Sequence, residues 1–133
     1  LAKKKVKMRT VRKKMNGTSK LEVAFAGILN ELGIKYEQHF VFKKREFDFL
    51  LPDHGIIIET HGCFYHCCKT HNPEAKYTFQ RNNLKNDQYK VKLVKFDHNY
   101  TLLIIWEHEM KEGDILVEKV NKFIDKHSKL LND

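Results

Sequence analysis

The stretch IIIETHGCFYHCCKTH, residues 56–71, joins an apolar run to a dense set of metal-binding side chains. It holds all three cysteines of the chain and three of its eight histidines. Ile56, Ile57 and Ile58 are continuously apolar, which predicts a short strand buried on both faces. PDHG before it is a turn signal, and EFDFLL before the turn predicts another strand. Phe47 and Phe49 alternate with Asp48, so Asp48 is expected on the opposite face of its strand from both aromatics. Two strands joined by a tight turn run antiparallel and bring Asp48 beside Glu59. Paired carboxylates near a phosphodiester hold a hard divalent cation, usually Mg²⁺, which neutralises developing charge and orients a water nucleophile.

Outward from this core, TSKLEVAFAGILNELG predicts a helix, with Leu21, Phe25, Ile28, Leu29 and Leu32 at helical spacing. Ser19 with Glu22 three residues on has the pattern of a capping box, and Gly33 is a natural stop. IKYEQHFVF predicts a strand, followed by a turn at Lys43–Lys44–Arg45. Beyond an irregular, ligand-rich stretch over 61–73, Pro73 is the expected start of a helix running through FQRNNLKNDQYKVKLVKF. YTLLIIWE predicts a strand. Asp114 is the expected cap of a last helix, with Leu116, Val120, Phe123, Ile124, His127 and Leu131 along one stripe. The order α-β-β-β-α-β-α indicates an α/β domain with a central mixed sheet flanked by helices.

The 133 residues are one domain's worth, with a basic arm or linker over 1–17 and the folded domain over 18–133. The net charge of +8 is unevenly placed. Lys3, Lys4, Lys5, Lys7, Arg9, Arg12, Lys13 and Lys14 fall in the first 14 residues without one acid, whereas the other 17 basic residues are matched by 17 acidic ones. The excess charge therefore belongs to the arm, which is the expected contact to a phosphate backbone. No apolar run approaches the roughly 20 residues a membrane helix needs, and no signal peptide is visible. The expected location is the cytoplasm. The chain begins with Leu, as a trimmed piece or the C-terminal part of something longer would.

An odd number of cysteines packed within six residues, among histidines, reads as metal ligation rather than a disulfide framework. Cys63, Cys68 and His71 supply three zinc ligands, with Cys67 competing for the place of Cys68. His108, expected at the end of a central strand beside Trp106, is the best fourth. Thiolates and imidazoles suit tetrahedral Zn²⁺ better than Mg²⁺, and a closed four-ligand site is structural. Two sites are thus expected to share the loop. Oxygen ligands at Asp48 and Glu59 take Mg²⁺, soft ligands from Cys63 onward take Zn²⁺, and His61 and His66 belong with the first.

THGCFYH, residues 60–66, closely resembles the signature Thr-His-Gly-Cys-Phe-Trp-His of very short patch repair endonucleases. The similarity runs from about Lys20 to Met110 and takes in the Glu22 helix, Asp48 in FDF, Asn83-x₃-Asp87 and LLIIWEHE. Asp48 followed by Glu59-Thr60-His61 also has the shape of the PD-(D/E)xK nuclease motif, with His61 where that superfamily normally has Lys. The resemblance implies a PD-(D/E)xK-like fold and Mg²⁺-dependent cleavage of double-stranded DNA. Asp48 and the Thr60 carbonyl would hold metal. Glu22, His61 and His66 would act through water at the metal or on the scissile phosphate. Cys63 matches a zinc ligand directly. Cys68 falls where the family has His, His108 where it has Cys, and His71 one position beyond its Cys. Phe64 and Tyr65 match aromatics that wedge into the duplex beside a mismatch.

Glu59 departs from the family, replacing an apolar residue, and the arm does not align with its N-terminus. These departures favour the catalytic domain of a phage-type homing endonuclease, joined to further DNA-binding modules, over a T:G mismatch nicking enzyme. The other alternative is a zinc-stabilised nucleic-acid-binding module without catalysis. The acidic pair separates them, because two carboxylates repel phosphate unless a cation intervenes.

Overall fold

The computed structural model describes residues 17–129. The basic residues of the arm and Leu131 lie outside the described residues. Helix α1 (Gly17–Glu31) is followed by strands β1 (Glu37–Phe42), β2 (Arg45–Leu51) and β3 (Ile56–His61). A single-turn helix α2 (Cys63–His66), the long helix α3 (Thr78–Lys95), strand β4 (Thr101–Trp106), a 3₁₀ turn (Glu107–Lys111) and helix α4 (Gly113–His127) complete the domain. The strands lie in the order β1-β2-β3-β4. β1–β2 and β2–β3 are antiparallel and β3–β4 is parallel, so the sheet is mixed, as expected. Among the described residues no helix is long and apolar enough to cross a membrane.

The sheet is covered unequally. On one face Phe25, Ala26 and Leu29 of α1 and Leu116, Val120 and Ile124 of α4 pack against Phe49, Leu51, Ile56, Ile58, Leu103 and Ile105. On the other, Phe47, Leu50, Ile57 and Val94 of α3 form a smaller buried cluster, with Phe40, Phe42, Tyr100 and Leu102 partly buried against it. Burying a large apolar side chain stabilises by about 1.5–3 kcal/mol, so most of the stability resides in the first layer and the second has room for polar groups. All six residues of β3 are buried, in line with the expected two-sided strand.

Several local expectations are corrected. Phe47 and Phe49 face opposite layers, not the same one, because the regular alternation breaks at Asp48. The β1–β2 ladder pairs Gln38↔Phe49 and Phe40↔Phe47 but skips His39 and Asp48. His39 has φ 57°, a left-handed conformation uncommon outside glycine. The β1–β2 turn comprises Lys43 and Lys44, both with positive φ as a tight two-residue hairpin requires, and Arg45 already belongs to β2. Ser19 lies inside α1 rather than at its cap, so Glu22 is a buried residue of the helix body. Helix α3 starts at Thr78, not Pro73. The Gln80 carboxamide accepts from the backbone N–H of Lys76 and Tyr77, closing the helix start there. Asp114 sits in the first turn of α4, after the capping position at Glu112. His108 lies in the 3₁₀ turn beyond β4 rather than on the strand.

Gly33 ends α1 with φ 69°, as expected. Gly55 closes the β2–β3 turn at φ 66°, and a Cβ there would lie 2.6 Å from the Asn99 carbonyl oxygen. That tight turn fixes the register Phe49↔Ile58, Leu50↔Ile57 and Leu51↔Ile56, which brings Asp48 and Glu59 to the end of the ladder together.

Candidate metal and nuclease site

Where the β2–β3 ladder ends, backbone pairing gives way to side chains. Asp48 Oδ2 accepts from the Thr60 backbone N–H at 2.7 Å and from its hydroxyl at 2.9 Å. The Asp48 N–H donates to Glu59 Oε2 at 3.0 Å, and Lys90 Nζ donates to Glu59 Oε1 at 2.7 Å. Burial, then the neighbouring Glu59 charge, pushes the Asp48 carboxyl above the ordinary range despite the Thr60 hydrogen bonds. Glu59 moves the other way. Its burial is outweighed by the His61 ring at 3.7 Å and the Lys90 ammonium, which hold it below the usual carboxylate range.

Two histidines complete this end of the sheet. The His61 ring, on β3, stacks on His66 of α2 with centroids 4.1 Å apart and planes within 10°, and meets Trp106 edge-on. His66 Nδ1 lies 2.7 Å from Asp87 Oδ2 on α3. His61 Nε2 lies 3.9 Å from Asp87 Oδ1, and its buried Nδ1 has no hydrogen-bond partner among the described residues. Glu22, buried on α1, has its Oε1 3.9 Å from His39 Nδ1, and His39 is the residue opposite Asp48 across β1–β2.

The thiol cluster is built differently. Cys63 Sγ is 3.2 Å from His108 Nδ1, and Cys68 Sγ is 3.3 Å from His71 Nδ1. One ligand atom from each of the four lies within 4.8 Å of all the others. Cys67 is not in this group; it turns the chain out of α2 at φ 54°. Burial pushes the Cys63 thiol up to about 11. Cys68 is buried too, but hydrogen bonds from His71 and Cys63 lower it to about 7. Two sulfurs facing two imidazoles are a donor set a soft dication can take over. His66 falls in the separate group with His61 and Asp87.

The oxygen site also suits a cation. Thr60 fixes Asp48 Oδ2, while Oδ1 takes no hydrogen bond among the described residues. Glu59 suits it less, since both of its oxygens are already engaged. Phe64 and Tyr65 are exposed, and their rings join those of Tyr77 and Phe79 in one surface cluster.

Sequence reasoning did not place Asp87 or Lys90 in the site. Gln80, Asn83, Asp87, Lys90 and Val94 fall at helical spacing on one stripe of α3. Gln80 Nε2 and Asn83 Nδ2 donate to the carbonyls of Phe64 and Tyr65, Asp87 meets His66, Lys90 meets Glu59, and Val94 enters the core. An inward stripe that is polar for four positions was the available signal.

The chain has a nuclease-like α/β fold, a four-stranded mixed sheet flanked by helices. No protein-family model matches it, and no curated protein matches it. Among solved structures it is similar to the catalytic domain of the homing endonuclease I-Bth0305I, with a TM-score of 0.54 and 22% identity, covering 80% of this chain and 94% of that one. At that identity the likeness is one of fold.

Proposed function

We propose that this chain is a Mg²⁺-dependent DNA endonuclease that hydrolyses phosphodiester bonds in double-stranded DNA, as the catalytic domain of a homing-type nuclease. One observation carries the reading. A half-buried carboxylate with one oxygen fixed and the other open, Asp48, lies at the same end of the sheet as a histidine–carboxylate pair, His66–Asp87, and is linked to it through Glu59 and His61. A pure binding module needs neither. Asp48 Oδ1 and the Thr60 carbonyl would hold the cation. Mg²⁺ bound there supplies Lewis acidity and neutralises charge developing on the phosphoryl group. Asp87 orients the His66 ring through Nδ1, which leaves Nε2 to take a proton from the attacking water. His61 stacks against that ring and holds its plane. Glu22 contributes a further carboxylate from α1. Phe64 and Tyr65 present exposed rings for base contact, and the basic arm for phosphates.

Cys63, Cys68, His71 and His108 would hold Zn²⁺ as a closed structural site, clamping the loop after α2 to the turn after β4. The likeness to a homing endonuclease catalytic domain favours this reading over a T:G-specific nicking enzyme. Purified protein incubated with matched and T:G-mismatched duplexes, in Mg²⁺ and in EDTA, tests it. The expected result is Mg²⁺-dependent cutting that does not require the mismatch. Nicking confined to T:G duplexes would assign the mismatch activity instead, and binding without cutting in any metal would leave only a binding module.

A further inference from the structure

We propose that Glu59 and Lys90 form a buried strut that positions Asp48, and that Glu59 is a positioning residue rather than a metal ligand. This rests on the metal site at Asp48 proposed above.

The strut answers an unmet backbone need. At Asp48 the ladder to β3 has ended and the ladder to β1 is skipped, so its N–H has no strand acceptor. Leaving a part-buried backbone donor without one is costly. The Glu59 side chain supplies it through Oε2, and its own second oxygen is held by Lys90. Glu59 and Lys90 are both buried, at 6% and 9% exposure. Lys90 is itself held twice, by Glu59 and by the Phe47 ring, with Nζ 4.6 Å from the centroid. Three residues before it on the same helix, Asp87 meets His66. The strut therefore ties Asp48 and the His66–Asp87 pair to one rigid helix face.

Charge points the same way. Asp48 and Glu59 together would present two negative charges; Lys90 cancels one, leaving a single free carboxylate at Asp48. A dication bound to Glu59 as well would stand close to the ammonium that already occupies Oε1.

The two roles differ in what a neutral replacement does. In Glu59→Gln with Lys90→Met, both charges go but an oxygen remains to accept the Asp48 N–H. In Glu59→Ala with Lys90→Met, that acceptor is gone. The experiment measures Mg²⁺ binding by calorimetry and hydrogen exchange at the Asp48 amide, on zinc-loaded protein, for wild type and both double variants. The strut predicts that the Gln/Met protein keeps wild-type Mg²⁺ affinity and Asp48 protection. It predicts that the Ala/Met protein loses protection and about tenfold or more in affinity, as removing a group that orients a metal ligand typically costs. Equal loss in both would make Glu59 a ligand and overturn the proposal, and so would retention in both. Wild type alone also decides, because fast exchange at its Asp48 amide would show that no strut holds it. If wild type binds no Mg²⁺, the metal reading fails, while amide exchange still judges the strut.

Discussion

The oxygen–histidine site and the thiol–histidine site meet in one stretch of chain, where Glu59 and Cys63 are four residues apart, yet they are held in opposite ways. The first is placed by regular structure. Strand register puts Asp48 beside Glu59 and Thr60, and one helix stripe delivers Asp87 and Lys90. The second gathers its side chains from the ends of things: the start and exit of α2, the loop beyond, and the 3₁₀ turn after β4. The loop from Cys67 to Tyr77 contains neither helix nor strand. Side chains placed by a scaffold can be exchanged without losing the scaffold. Side chains that would themselves form the cross-link, as the proposed zinc makes these four do, cannot. The two sites should therefore fail differently, one in chemistry and one in stability.

The largest expected effect tests the first half of that contrast. Asp48→Asn keeps shape and loses the charge a metal needs, so strand cleavage should fall below detection while melting temperature and DNA affinity stay close to wild type. A gel assay at saturating Mg²⁺ checks it, and substantial activity would remove Asp48 from the site. For the second half, wild-type protein should contain about one zinc per chain by elemental analysis. Cys63→Ser should lose that zinc and lower the melting temperature by about 5 °C or more, since structural zinc contributes folding free energy. A metal-free protein with an unchanged melting curve would dissolve the distinction between the sites. The smallest effect concerns neither site. Deleting residues 1–14 should weaken DNA binding and flatten its salt dependence, by roughly one log–log unit for each phosphate the arm neutralises, with folding unchanged. An identical salt slope would show that the arm touches no phosphates.

How legible each site is in the sequence follows from how it is built. Strand β3, the Gly33 stop and the nearness of Asp48 to Glu59 can be read because an apolar run, a glycine and a turn signal are local. The grouping of Cys63, Cys68, His71 and His108 can be read because few other residue types offer soft ligands. What escapes the sequence is set by tertiary context. Lys90 reads as one more lysine on a polar helix until Glu59 is seen opposite it. Glu22 fits a capping box until the helix is found to begin before Ser19. The break at Asp48, with its left-handed neighbour at His39, leaves no trace in a pattern that alternates as an ordinary strand does, and that pattern puts Phe47 and Phe49 on one face. The same break creates the place that holds Asp48.

One loop is divided between the two sites, and His66 lies on the boundary, three residues from Cys63 and two from Cys68. Its ring lies against His61 and Asp87 rather than among the thiols. Zinc content and single-turnover cleavage should therefore be measured on the same preparation of His66→Ala. The division predicts a cleavage rate lower by about a hundredfold, as the loss of a general base typically brings, with one zinc per chain retained. Zinc lost along with activity would contradict it and place His66 among the soft ligands.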